Sequence, residues 1–407
     1  MVCCAVALVA AGCGSGTASG TAGNGTAGNG TTGNGTAGGG TSGNESKGSG
    51  THATGIPGGV PSERATSCAG QAFRRLTAAE RVGQLFLVGI PVPGTGSPST
   101  GTIRAEHFGS VLFVGNTIAG VAQVRTVTDQ MQRLAPAGVG MFVAANQEGG
   151  EIQPLRGPGF DTIPPATVQG TMTDATLRTS ATRWGHQLML AGVNLNLAPV
   201  LDTVPQGTES MNAPIGALQR EYGDSPRTVS AHGVAFIDGM RAAGVATTAK
   251  HFPGLGRVRG NTDFTADVTD TETTSNDLST YQTAVDAKVP FVMIALARYT
   301  KIDERGIAAF SAAIVTGLLK DRMGFSGVIV SDDLGAAAVA SLPPAERAQA
   351  FLAAGGDMLT EQSAEVAAQM ASAVLHKTAA DQDFRNRVDD AVMKILEAKA
   401  EYGLLAC

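Results

Sequence analysis

Two short segments of this sequence place charged side chains directly after apolar runs. Lys250 and His251 end one such run, and a Pro/Gly turn follows them at once. Asp332 and Asp333 end another run in the same way. Burying Lys or His without a partner is costly, so we interpret both segments as strand ends that face a ligand. Two bases at one strand end and two acids at the other indicate a polar substrate.

Further polar side chains come at the ends of other apolar runs. Asn146 and Glu148 follow one run, Asp202 follows the next, and Arg220 lies in the long loop after it. Each residue alone has a structural explanation, such as an ion pair of Glu148 or a turn capped by Asp202. Together they concentrate carboxylates, amides and cations with almost no aromatic residues. This set favours a polyhydroxylated substrate that is held by hydrogen bonds.

Strands that alternate with helices must position these side chains. Near-continuous apolar strands separated by helical segments are typical of parallel strands that are covered on both faces. An open doubly wound sheet often carries a Gly-rich phosphate turn after its first strand, but residues 90–93 are Ile-Pro-Val-Pro. We therefore predict an α/β fold, a single (β/α)₈ TIM-type barrel over residues 63–407, with its site at the carboxyl ends of the strands. The predicted strands are 84–90, 110–115, 140–145, 193–201, 245–252, 291–297, 327–331 and 357–360.

Long ordered motifs surround the strand ends. Their order resembles that of glycoside hydrolase family 3, and most closely that of the single-domain bacterial β-N-acetylhexosaminidases. The resemblance covers residues 70–402. The motifs that carry it are Gln-Glu-Gly-Gly at 147–150, Leu-Ala-Pro-Val-Leu-Asp at 197–202, Asn-Ala-Pro-Ile-Gly at 212–216, Lys-His-Phe-Pro-Gly-Leu-Gly at 250–256 and Ser-Asp-Asp-Leu at 331–334.

The resemblance implies a retaining glycosidase with a glycosyl-enzyme intermediate. Asp332 matches the family nucleophile, the first Asp of the Ser-Asp-Asp motif. Arg220, Lys250 and His251 match residues that bind sugar hydroxyls, and we place Glu148 in the same substrate site because it belongs to the set of polar residues at the strand ends. Arg220 and Lys250 are also expected to keep the nucleophile ionised.

The sequence departs from the family at the acid/base. The hexosaminidase branch follows its Lys-His-Phe-Pro-Gly motif with a His and later with Asp-Ser-His, whose last His is the usual acid/base. Here Leu255 stands at the position of the first His, and residues 261–263 are Asn-Thr-Asp. Asp263 occupies the position of the missing His and is our candidate acid/base, because a carboxyl group with a raised pKa can donate a proton.

Three other family positions differ. Asn146 stands where an Asp usually contacts the sugar, Pro154 replaces an Arg, and Leu296 replaces a His after the sixth strand. An Asn side chain still donates and accepts hydrogen bonds, so we keep Asn146 in the substrate site.

Two functions of different classes fit these observations. One is an exo-glycosidase that removes terminal β-N-acetylglucosamine, from cell-wall (peptidoglycan) fragments. The alternative is a catalytically weakened, sugar-binding lipoprotein on the same fold. A Schiff base on Lys250 is a third possibility, which the hydrolase motif around that residue disfavours. No cluster of His, Cys and Asp has metal-ligand spacing, so we expect no metal and no cofactor.

The first part of the chain resembles a targeting segment. Residues 1–12 resemble a bacterial lipoprotein signal, although no Lys or Arg precedes the short apolar run, so we expect the true start to lie upstream. Cys13 would carry the lipid, and residues 13–62, rich in Gly and Thr, would form a disordered tether. We therefore expect export and anchoring to the outer face of the cytoplasmic membrane.

Two cysteines remain for the folded part, Cys68 and Cys407. In an oxidising compartment they would form a disulfide; the other interpretation is two free buried thiols. The net charge of −6 and the lack of a dense Lys/Arg cluster argue against nucleic acid as a partner. We expect a monomer that binds a small carbohydrate.

Overall fold

The computed structural model describes residues 67–136 and 138–407. Eight parallel strands form the central sheet: β1 (Phe86–Pro91), β2 (Ser110–Val114), β3 (Phe142–Ala145), β4 (Leu195–Asn196), β5 (Ala246–Phe252), β7 (Phe291–Ile294), β10 (Val328–Ser331) and β11 (Leu359–Glu361). The proposed signal, the tether and Cys13 lie outside the described residues.

The first and last strands of the sheet meet and close it into a barrel. The sheet order is β10-β7-β5-β4-β3-β2-β1-β11, and the edge strand β11 pairs with β1 on one side. On its other side, the Ser331 N–H donates to the carbonyl of Met358, and the Thr360 N–H donates to the Ser331 hydroxyl. The predicted TIM-type barrel is therefore confirmed.

Helices cover the barrel on its outside. They are α1 (Cys68–Arg75), α2 (Ala78–Gln84), α3 (Thr100–Ala105), α4 (Val121–Gln132), α5 (Ala166–Gln169), α6 (Asp174–Leu190), α7 (Pro226–Ala242), α8 (Ser279–Asp286), α9 (Pro344–Ala354), α10 (Ala364–Ala380) and α11 (Gln382–Glu401), with a π-helix at Ala313–Arg322. Local sequence sets several helix starts: Thr77 and Glu80 form a reciprocal capping box at α2, and Ser225 caps α7. None of the described helices combines the length and apolar character needed to cross a membrane.

A small second sheet lies in the loops at the carboxyl ends of the strands. It consists of β6 (Thr269–Asp270), β8 (Arg298–Tyr299) and β9 (Asp303–Ile307) in the order β6-β8-β9. The sequence did not predict this sheet, because its strands are two to five residues long and mostly polar. It provides a support for the loop that follows β5.

Buried charges join the elements at the opposite end of the barrel. Lys399 is fully buried and donates to the Gln84 side chain at 2.6 Å, which ties α11 to α2. Asp357, just before β11, is also fully buried and accepts from Arg387 at 2.6 Å. These contacts anchor α11 beneath the barrel.

A disulfide joins the two ends of the described chain. Cys68 and Cys407 are bridged with a Cα–Cα distance of 5.7 Å across a sequence separation of 339. The C-terminal tail is also hydrogen-bonded to the start of β3, since the Gly140 N–H donates to the carbonyl of Leu404 at 2.6 Å. The predicted bridge is confirmed, and the alternative of two free thiols is wrong.

We expect the double variant Cys68→Ala/Cys407→Ala to lose about 2–5 kcal/mol of unfolding free energy, because the bridge restricts the unfolded chain. Urea unfolding with and without reductant measures this. Reductant should weaken the parent protein and leave the double variant unchanged. An equal response of both proteins to reductant would contradict the prediction.

Candidate active site

Glu148 lies at the centre of the barrel mouth, on the turn that follows β3. Arg220 binds its carboxylate with two bonds of 2.8 Å each, and the Lys250 ammonium lies 2.7 Å from it. Burial alone would raise the pKa of Glu148, but the attraction of Arg220 and Lys250 outweighs it and holds that pKa at about 2. Glu148 is therefore a permanent anion between two cations.

Lys250 extends this cluster towards Asn146. It lies at the end of β5, buried, and its ammonium donates to the Asn146 Oδ1 atom at 2.7 Å. Burial lowers the pKa of Lys250, and the attraction of Glu148 offsets this only in part. Four residues of the predicted substrate site, Asn146, Glu148, Arg220 and Lys250, thus form one polar wall, in which donors and acceptors alternate.

His251 is held in a second cluster beside the first. Its Nδ1 atom lies 2.8 Å from the Asp202 carboxylate, which also accepts from the Tyr281 hydroxyl at 2.9 Å. Burial opposes ionisation of Asp202, but His251 and these hydrogen bonds lower the pKa of Asp202 below its usual value. An ionised carboxylate only accepts, so His251 donates through Nδ1 and turns Nε2 towards Arg220, whose Nη2 lies 3.5 Å away.

Asp332 and Asp333 follow β10 but face different surroundings. Asp332 sits where β10 parts from β7, with its N–H bonded to the carbonyl of Ile294 at 3.0 Å. The Asp333 carboxyl instead accepts from the Gly335 N–H at 3.0 Å and from the Gln362 side chain at 2.8 Å. The Asp333 carboxyl group therefore stabilises the loop that follows β10.

Two carboxyl groups near Asp332, the nucleophile candidate, have a pKa above the usual value. The pKa of Asp333 is raised to about 7. Burial is the largest cause, and the charges of Glu361, Asp332 and Asp263 add to it. The same two effects, burial and then the charge of Asp332, raise the pKa of Asp263. The charge of Asp332 also reaches Arg220 and Lys250. Asp332 therefore lies within electrostatic range of both the cation cluster and Asp263.

The loop that carries Asp263, residues 254–267, is fixed against the loop after β10. The Ala337 N–H donates to the carbonyl of Asp263 at 3.3 Å, and the Ala338 N–H donates to the carbonyl of Thr262 at 3.0 Å. The Asp263 N–H is itself bonded to the Asn261 side chain at 2.9 Å. We call this segment the Asp263 loop; its contacts place Asp263 on the Asp332 side of the barrel mouth.

Asn212 joins the Asp263 loop to the loop that carries Arg220. Its amide donates to the carbonyls of Leu255 at 2.7 Å and Val258 at 2.6 Å, and its Oδ1 accepts from the Gly216 N–H at 2.8 Å. Gly256 lies so close to this region that an added Cβ would come within 2.0 Å of the Thr203 carbonyl. The polar motif at 212–216 therefore has a structural role.

The positions that depart from the family pattern are mostly built into the core. Leu255 and Leu296 are buried, and the polar contacts of Leu255 come from its backbone, whose N–H donates to Asp202 at 2.8 Å. Pro154 is buried as well, whereas Arg156 donates to the carbonyl of Gly150 at 2.7 Å. Arg156 thus stabilises the turn after Glu148.

The structure brings the predicted site residues to one face of the barrel; their roles in binding and catalysis remain predictions. Sequence reasoning missed Tyr281 and Gln362, which orient Asp202 and Asp333. Both residues lie after later strands and belong to no motif, so nothing local marks them. Within the described ranges, no group of three or more His, Cys, Asp or Glu side chains is arranged to hold a metal ion.

Several proteins that are similar to this chain are named as glycosidases. "Beta-hexosaminidase" of Methylococcus capsulatus is 32% identical over 280 residues, which is 67% of this chain and 80% of that protein. The β-N-acetylhexosaminidase structure from Beutenbergia cavernae has a TM-score of 0.78 at 44% identity, over 80% of this chain and 99% of that one. A family 3 β-N-acetylglucosaminidase structure from Paenibacillus has a TM-score of 0.73 at 26% identity, over 81% and 63% respectively.

The match to the family itself extends over most of the chain. The family described as "Glycosyl hydrolase family 3 N terminal domain" matches residues 77–398. This range begins at the capping box of α2 and ends within α11, so it includes every strand of the barrel. The chain belongs to glycoside hydrolase family 3.

Proposed function

We propose that this protein is a retaining exo-glycosidase that hydrolyses terminal β-N-acetylglucosaminides, with Asp332 as the nucleophile. The observation that carries the proposal is the position of Asp332 directly after β10, where its N–H is bonded to the carbonyl of Ile294 and the loop that follows it is bonded to the backbone of Asp263. The printed names of similar proteins, β-hexosaminidase and β-N-acetylglucosaminidase, support this substrate class.

The polar wall beside Asp332 suits the hydroxyl groups of a terminal sugar. Glu148 accepts hydrogen bonds, Lys250 and Arg220 donate them, and Asn146 does both. All four are buried or half-buried, so their bonds to a sugar would be little weakened by water. In this proposal Glu148, Arg220, Lys250, Asn146 and His251 hold the sugar while chemistry occurs at its anomeric carbon.

The first step forms a covalent bond. A carboxylate oxygen of Asp332 attacks the anomeric carbon while the bond from that carbon to the leaving oxygen breaks. Asp263 gives its proton to the leaving oxygen, so the departing group leaves as a neutral alcohol. Asp263 can do this because its raised pKa keeps a larger share of it protonated.

The second step reverses these roles. Once Asp332 has become an ester it carries no charge, and the repulsion that helped to raise the pKa of Asp263 disappears. Asp263 is then a free carboxylate that accepts a proton from water while the water oxygen attacks the anomeric carbon. The bond to Asp332 breaks, and the sugar leaves with its β configuration.

A weakened sugar-binding protein is the second candidate function. The specific observation in its favour is the loss of the His acid/base, since residues 261–263 are Asn-Thr-Asp and Leu255 is a core residue. Both candidates expect binding of N-acetylglucosamine. Only the enzyme turns over aryl β-N-acetylglucosaminides, so that assay separates them.

We expect Asp332→Ala to lower kcat on an aryl β-N-acetylglucosaminide at least about 10³-fold, because no glycosyl-enzyme can form. A 2-deoxy-2-fluoro or 5-fluoro glycosyl fluoride should label Asp332 in the parent protein, as measured by peptide mass spectrometry. Asp333→Ala is the matched control and should leave the label in place. Labelling of Asp333 instead would overturn the assignment.

We expect Asp263→Ala to slow a substrate with a poor leaving group about 10²–10⁴-fold and an activated aryl substrate far less, because a good leaving group needs little protonation. In the parent, activity on the poor leaving group should fall as pH rises through the pKa of Asp263, since the ionised form has no proton to give. Added azide should recover some rate of the variant on the aryl substrate.

Asp333 is the control for that pH profile, because its pKa of about 7 could produce the same decline. Asp333→Asn should keep the alkaline decline, whereas Asp263→Asn should remove it. Equal losses on both substrates in Asp263→Ala, without azide rescue, would place the acid elsewhere.

We also propose that the protein is exported, lipidated at Cys13 and held at the outer face of the cytoplasmic membrane, where it meets cell-wall fragments. The Cys68–Cys407 disulfide supports export, because such bonds persist in oxidising compartments. Cys13→Ala should move the protein from the membrane to the soluble fraction, which immunoblotting of cell fractions measures. Membrane association that is unchanged in this variant would contradict the proposal.

A further inference from the structure

One aromatic ring at the barrel mouth is exposed in an otherwise polar loop. Phe264 directly follows Asp263, and 83% of its surface is accessible. Within residues 67–136 and 138–407, every other Phe, Tyr and Trp is buried or half-buried. Leaving a Phe in water forgoes the stabilisation that burial of its apolar surface would give.

The ring is held outward by a fixed backbone. The N–H groups of Phe264 and Thr265 both donate to the carbonyl of Asn261, at 3.1 and 2.8 Å, which closes a single helical turn. The two residues before Phe264 are bonded to the loop after β10. Successive side chains on a helical turn diverge by about 100°, so Phe264 is the exposed neighbour of Asp263 on the same turn.

The position beside the acid identifies what the ring meets. An acid catalyst lies about 3 Å from the oxygen that it protonates. In a glycoside, that oxygen is part of the leaving group. The leaving group therefore lies immediately next to Asp263. The sugar that is cleaved occupies the opposite, polar side with Glu148 and Lys250. Phe264 therefore borders the leaving group and not the bound sugar.

We propose that Phe264 is the platform on which the leaving group stacks when that group is itself a pyranose, which makes Phe264 a specificity-determining residue. This inference rests on the proposed glycosidase function and on Asp263 as the acid. The C–H groups on one face of a pyranose are weakly positive and apolar, and they complement the negative face of a phenyl ring. The occupant of this surface is thus the second sugar of a β-linked disaccharide or longer chain.

Two donors with the same terminal sugar test the proposal. N,N′-diacetylchitobiose has a pyranose leaving group, whereas N-acetylglucosaminyl fluoride has only a fluoride ion. We expect Phe264→Ala to lower kcat/KM on the disaccharide about five- to tenfold and to leave the fluoride within about twofold of the parent. Phe264→Tyr keeps the ring and should stay within about twofold on both donors.

Leu190→Ala is the matched control. Leu190 is also an exposed apolar residue, 64% accessible, but it ends α6 just before β4, at the other end of the barrel. Leu190→Ala should change neither the rate on the disaccharide nor the rate on the fluoride. Retained turnover of the fluoride by Phe264→Ala shows that this variant is folded and that its nucleophile works.

The second half of the reaction gives an independent measurement. With the fluoride as donor and free N-acetylglucosamine as acceptor, the parent should transfer part of its glycosyl groups to the acceptor. The acceptor occupies the place of the leaving group, so Phe264→Ala should transfer a smaller fraction and hydrolyse a larger one. Phe264→Tyr should keep the fraction of the parent.

The outcomes separate the two proposals. A parent that turns over neither donor overturns the proposed function, and the platform with it. A parent that cleaves the fluoride but not the disaccharide overturns the platform alone. Phe264→Ala with equal losses on both donors, or with no loss on either, also overturns the platform while the glycosidase function stands.

Discussion

The carboxylate of Glu148 binds two cations from separate parts of the chain, Arg220 from the loop after β4 and Lys250 from the end of β5. Taking these charges out of water costs several kcal/mol for each ion, and their mutual attraction offsets that cost only while all three are present. Removal of one partner from such a buried group typically costs about 3–5 kcal/mol. The rest of the site is built on this contact, because Asn146 is bonded to Lys250 and His251 faces Arg220.

The departure from the family pattern is best understood through charge. A His acid/base has a pKa near neutrality without help, whereas a carboxyl group needs its surroundings to raise its pKa. At Asp263 the raising effects are burial and the charge of Asp332. In the proposed mechanism the second effect exists only while Asp332 is free, so the same repulsion would favour Asp263 as an acid before the covalent bond forms and as a base afterwards. The charges of Arg220 and Lys250 oppose the shift.

The sequence predicted the barrel and the site face well, because long apolar strands and the residues that follow them are local signals. Strand length was predicted less well: the run 193–201 contains only the two-residue β4, and its later residues pair with the neighbouring strands only through separate bonds, such as that from the Leu201 N–H to the carbonyl of Lys250. The roles of Asn212 and Tyr281 could not be predicted, because they depend on contacts across 43 and 79 positions in sequence. Phe264 carried a weak signal, an aromatic residue in a Gly, Asn and Thr loop, but its meaning depends on exposure.

The bond between Asn212 and the Asp263 loop has a consequence for exchanging loops between relatives. The first part of the loop, from Leu255 to Val258, is held by the Asn212 amide and by the tight approach of Gly256 to Thr203. A donor loop that brings its own His in place of Leu255 would disturb this anchored part and the core beneath it. The residues from 259 onward are tied to neighbouring loops mainly through their backbone. Engineering of this enzyme can therefore treat the loop as an anchored first part followed by an exchangeable tip, and the tip holds both the proposed acid, Asp263, and the aromatic ring of Phe264.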